Sequence, residues 1–70
     1  MTAYADWVVL GLRERHITRS GRLYAAVRGK PTEPVWELHE IDPESGEVLR
    51  TLAHKVLTRD LDKVLEALVP

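Results

Sequence analysis

The basic side chains are the residues here whose type and spacing promise chemistry. Arg13, Arg15, Arg19, Arg22, Arg28 and Lys30 stand in the first 30 residues against only Asp6 and Glu14, whereas residues 31–70 hold four basic and nine acidic side chains. The net charge of −1 therefore conceals a dipole. A basic segment that also carries Trp7 and Tyr24 can neutralise phosphate and stack on nucleobases, leaving the acidic remainder to face water or a second subunit. With so small a net charge, any nucleic-acid contact must come from a local patch.

The other reactive residue types do not assemble into a recognisable centre. His16, His39 and His54 include no i, i+4 pair, and the chain has no cysteine to join them as metal ligands, form a disulfide or act as a nucleophile. A sheet site joining His39, Glu37 and His54 is conceivable, but half-exposed strand histidines are the simpler expectation. Ser20 and Ser45 each adjoin glycine and read as turn residues, with no base or oxyanion hole implied nearby. Gly29-Lys30 lacks the upstream glycine and downstream hydroxyl of a phosphate loop, and the acids Glu33, Glu37, Glu40, Asp42, Glu44 and Glu47 lack the alternation of a calcium loop. No catalytic residue, metal site or cofactor is expected.

These side chains must be held by one small domain, residues 1–70, with a chain that buries only about 60% of its unfolded surface. Phe is absent and the aromatics are limited to Tyr4, Trp7, Tyr24 and Trp36, so the core must rely on Leu, Val and Ala. The run Trp7 to Leu12 is rich in β-formers and passes into the polar alternation Arg13 to His16, which predicts a first strand. Thr18 to Gly21 is a turn signal. Arg22 to Arg28 then predicts a second strand, with Leu23, Ala25 and Val27 on one face and Arg22, Tyr24 and Arg28 on the other.

Two prolines in Gly29 to Pro34 break the pattern, since proline cannot donate to a ladder. Val35 to Ile41 and Glu47 to Val56 predict a hairpin about Asp42-Pro43-Glu44-Ser45-Gly46. If Ile41 faces Val48, loop length sets Trp36 opposite Ala53, Leu38 opposite Thr51 and His39 opposite Arg50. Thr58 is placed to cap a helix from Arg59 to about Leu68, with Asp60 and Asp62 in its first turn and Pro70 beyond it. Leu61, Val64, Leu65 and Leu68 recur at i, i+3, i+4 and i+7 and form one apolar stripe.

The expected fold is α+β, ββββα: a four-stranded antiparallel curved sheet with one C-terminal helix. The last two strands carry apolar residues on both faces, and one helix cannot cover both, so a homodimer is expected, with Trp36, Leu38, Leu65 and Leu68 in its interface. A strongly curved small barrel would use the same residues.

The run Trp36-Glu37-Leu38-His39-Glu40-Ile41-Asp42-Pro43-Glu44, followed by Leu57-Thr58 before the helix, resembles the single-stranded-DNA-binding family of the transcriptional positive coactivator, with the whirly proteins as more distant kin. The likeness spans about residues 22–68. It implies a curved four-stranded sheet backed by a helix, paired with a second copy, whose strands offer basic and aromatic side chains to unpaired bases. Where that family has a basic residue in the third strand and a glycine before the helix-entry strand, this sequence has His39 and His54.

The sequence therefore predicts a homodimer that binds single-stranded nucleic acid through Arg13, Arg15, Arg22, Tyr24, Arg28 and Lys30, of the kind that serves transcription or DNA maintenance. The rival expectation is a protein-interaction module, or a small regulatory or inhibitory subunit, that uses the same arginines to grip an acidic partner. No apolar run approaches the ~18 residues of a membrane span, and a cytoplasmic location is expected.

Overall fold

Where the backbone reverses decides the architecture. In a computed structural model that describes residues 6–69, the chain forms β1 (Val8–Val9), β2 (Glu14–Arg19), β3 (Arg22–Val27), β4 (Val35–Ile41), β5 (Val48–Leu57), a 3-10 turn (Thr58–Asp60) and α1 (Leu61–Leu68). Tyr4 and Pro70 lie outside the described residues. The strands make one open antiparallel sheet in the order β1-β2-β3-β4-β5, so the fold is α+β with five strands, not the expected four. The first predicted strand is in fact two. Gly11 has φ 140°, a conformation that side-chain-bearing residues rarely adopt, and Leu10 N–H donates to Glu14 O at 3.0 Å, closing a reversal between β1 and β2.

Two further turns match their residues. Ser20 and Gly21 have φ of 53° and 76°, the paired positive values of a primed two-residue hairpin turn, which follows the twist of β2 and β3. At the β4–β5 loop the Asp42 carboxylate accepts from Glu44 N–H at 2.8 Å and Ser45 N–H at 3.2 Å, and Gly46 closes the loop at φ 77°. A Cβ at Gly46 meets nothing within 4 Å, so only backbone strain opposes it. Gly46→Ala is expected to cost about 1 kcal/mol, seen as a lower urea midpoint at unchanged m-value.

Within the β4–β5 hairpin Ile41 does pair with Val48, but Trp36 pairs with Val56, Leu38 with Ala53 and His39 with Thr51. The regular register expected from loop length is lost because the ladder shifts at three points. Lys55, at φ 53°, marks the shift near Trp36, where β5 bulges.

Cross-strand pairing assigns the faces. Ile17 pairs with Tyr24 and Ala26 with Leu38, so these side chains share one face of the sheet, and with Trp36, Val56, Leu61, Leu65 and Val69 they form the core. The helix lies on this face, inserting Leu61 and Leu65, each worth roughly 1.5–3 kcal/mol when removed from water. Its N-terminus is not capped as expected. The Thr58 hydroxyl belongs to the preceding 3-10 turn and binds Trp36, while the helix itself begins after Asp60 with no side-chain cap.

The expected dimer contacts need correction on the same grounds. Trp36, Leu38 and Leu65 are buried inside one chain and have no surface to offer a second; of the four only Leu68 is exposed, at 48%. The helix stripe faces inward through Leu61 and Leu65, with Val64 partly buried and Leu68 at its edge. Among the described residues no helix is long and apolar enough to cross a membrane.

Candidate nucleic-acid interface

Alternation along β2 and β3 places Arg15, Arg19, Arg22 and Tyr24 on the face that carries the helix, because Arg15 pairs with Ala26, Arg19 with Arg22 and Ile17 with Tyr24. Arg22, Tyr24 and Arg28 do share one face, as alternation predicts, but it is the face that the helix covers. Tyr24 is instead 2% exposed and part of the core, so its ring is not offered to a base. The apolar residues Leu23, Ala25 and Val27 lie on the side without the helix. Alternation alone cannot tell which of two faces a distant helix will cover.

The guanidinium groups divide between the two ends of the sheet. At one end, Arg28 N–H donates to Arg13 O at 3.0 Å, and the Arg28 side chain donates to Leu12 O at 2.8 Å and Glu33 O at 3.0 Å, tying the β1–β2 turn to the β3–β4 loop. Lys30 lies in that same loop. Arg15 and Arg28 stack on the Trp36 ring, with Cζ 4.8 Å and 4.3 Å from its centroid. Such contacts are worth about 0.5–2 kcal/mol each, more as they are desolvated. Trp36 is 1% exposed, and its indole N–H donates to Thr58 Oγ1 at 2.8 Å. Thr58 N–H in turn donates to Pro34 O at 3.0 Å, which brings the following residue, Arg59, to the basic end.

Arg13, Arg15, Arg28, Lys30 and Arg59 thus gather at one end, and none of them has a carboxylate partner among the described residues. Arg22 stands apart. It begins β3 while Arg28 follows its end, roughly 20 Å away at the ~3.3 Å rise of a strand. Arg19, opposite it, is committed to Glu66 at 2.8 Å, and that hydrogen bond, followed by the nearby negative charge, raises its pKa above the ordinary value. The hairpin tip with Asp42, Glu44 and Glu47 lies at Arg22's end, while Glu14, Glu33 and Glu37 lie at the basic end.

Trp7, the other stacking candidate, is partly buried against the core and donates to Asp62 at 2.6 Å. The three histidines lie on the helix-free face, each with its own partner: His16 with Glu14, His39 with Thr51 at 2.8 Å and His54 with Glu37 at 3.1 Å. Among the described residues no group of three His, Cys, Asp or Glu side chains is placed to hold a metal ion. A cleft of about 570 Å³ opens at the basic end between Val27, Arg28, Val35, Glu37, His54 and Lys55.

Sequence reasoning missed Thr58 and Arg59 as members of this site. It assigned both to the helix, and only the bond between the 3-10 turn and Pro34 moves them to the basic end. The class defined by this structure is a five-stranded antiparallel meander closed on one face by a single C-terminal helix. No family model matches the chain, and no curated protein or solved structure is detectably similar to it.

Proposed function

We propose that this protein is a small single-stranded nucleic-acid-binding module, of the kind that serves transcription or DNA maintenance, and that it holds its ligand by the phosphate backbone. The observation that supports this is the gathering of Arg13, Arg15, Arg28, Lys30 and Arg59 at one end of the sheet with no carboxylate partner among the described residues. Phosphate contact carries affinity and orientation but little sequence information, so weak sequence preference is expected. Base stacking contributes little in this reading, since Tyr24 and Trp36 are buried. An unpaired strand is the ligand to test first because the resemblance to the positive-coactivator family implies one.

Fluorescence anisotropy with a labelled single strand, across a salt series, tests the proposal. Binding that falls steeply with salt supports it; no binding at low salt, or binding indifferent to salt, ends it. One observation favours a second reading. Leu10 and Leu12 are exposed beside Arg13, a mixture of apolar and basic surface that also suits an acidic protein partner. That reading expects a protein to co-purify stoichiometrically and the labelled strand to remain unbound.

A further inference from the structure

An open sheet has two outer strands, and in this one they are protected very differently. β5 is ten residues long, but its ladder with β4 shifts register at three points and Lys55 is held at φ 53°. Arg50 on the same strand is bound to Glu40 at 2.7 Å. Bulges and charges of this kind keep an edge from pairing with another chain. β1 is short, two residues, but has neither a bulge nor a charge. The segment Trp7-Val8-Val9-Leu10 contains no charge, proline or bulge, and Val8, Val9 and Leu10, with Leu12 beyond them, are all more than half exposed.

The side chains of β1 also project to both sides of the sheet. Val9 pairs with Arg15 and shares the helix face, whereas Val8 pairs with His16 and shares the other. Only another strand added alongside covers both at once, because a partner docked on one face leaves the other in water.

We infer that β1 is the dimerisation edge, pairing antiparallel with β1 of a second copy to give one continuous ten-stranded sheet. Two-fold symmetry about an axis normal to the sheet makes residues of the same face oppose one another. With the axis at Val9, Val9 faces Val9 and Val8 faces Leu10, so every opposed side chain is apolar. Four apolar side chains per copy bury an area at the low end for specific interfaces, under ~1,200 Å², so the dimer is expected to dissociate on dilution. The inference is independent of phosphate binding, since its contacts are the apolar side chains of β1 and none is a cation of the basic end.

Sedimentation equilibrium over a concentration series tests it, with circular dichroism to show that each variant keeps its fold. The 8.0 kDa chain is expected to approach twice that mass at high concentration. Val9→Lys, which sets two ammonium groups face to face on the axis, is expected to stay at the single-chain mass throughout. Leu68→Lys, at an exposed apolar residue remote from β1, is expected to dimerise like the parent. A parent that remains single at all concentrations overturns the inference. So does a Val9→Lys variant that still dimerises, or a Leu68→Lys variant that no longer does.

Discussion

Replacing Trp36 by alanine is expected to unfold the protein at 25 °C. Removal of a buried tryptophan costs about 3–5 kcal/mol, and a single core in a chain of this length supplies only about 3–5 kcal/mol in all. Trp36 is also the point where separate parts of the chain meet. Its ring receives Arg15 from β2 and Arg28 from the end of β3, and its N–H holds Thr58 at the start of the helical segment. Far-UV circular dichroism should show loss of the sheet signal, with no cooperative thermal transition remaining. A variant that melts cooperatively within a few degrees of the parent would show that the core does not depend on this ring.

Trp36→Phe separates volume from polarity. It keeps an aromatic ring under the two guanidinium groups but cannot donate to Thr58, whose hydroxyl retains its longer contact of 3.3 Å with Pro34 O. A loss of about 1–2 kcal/mol is expected, read from the urea midpoint.

Charge reversal at the basic end carries the second large effect. For single strands the affinity changes by about 0.7 logarithmic units per phosphate neutralised for each tenfold change in salt, so the five cations of the basic end, at one contact each, predict a ~130-fold fall between 50 and 200 mM salt. Arg13, Lys30 and Arg59 are exposed and make no side-chain hydrogen bond or ion pair among the described residues, so Arg13→Glu, Lys30→Glu and Arg59→Glu together should leave the fold intact. Loss of three of the five contacts is expected to lower affinity by about 500-fold at 50 mM salt and to flatten the slope to about −1.4.

Arg22→Glu provides the spatial control. It changes the same charge on the same face but at the other end of the strand, so its effect is expected to stay within about threefold, since exposed charges farther apart than the ~10 Å Debye length are largely screened. Equal losses from Arg22→Glu and from a single change at the basic end would show that total charge, rather than the gathering of cations near Trp36, controls binding.

Much of the local structure is legible in the residues. The hairpin about Asp42 to Gly46, the turn at Ser20-Gly21 and the extent of β4 depend on interactions between near neighbours, such as the Asp42 carboxylate with Glu44 and Ser45. The split of the first predicted strand was less readable, because Val8-Val9-Leu10 and Arg13 to His16 both have β character and only the backbone angle at Gly11 separates them. The shifted β4–β5 register has no local signature either. Lys55 is an unremarkable residue for a strand until its positive φ is seen.

Alternation in the sequence by itself determined which side chains travel together: Arg22 with Tyr24 and Arg28, Leu23 with Ala25 and Val27. That follows from the two-residue period of a strand, a property of the chain alone. Only the tertiary structure decided that the first set, and not the second, lies under the helix, and that Tyr24 is therefore core rather than a stacking surface. The deciding contacts join residues far apart in sequence, as Arg19 with Glu66 and Trp36 with Thr58 do, and the choice of face is made by where that distant helix buries Leu61 and Leu65.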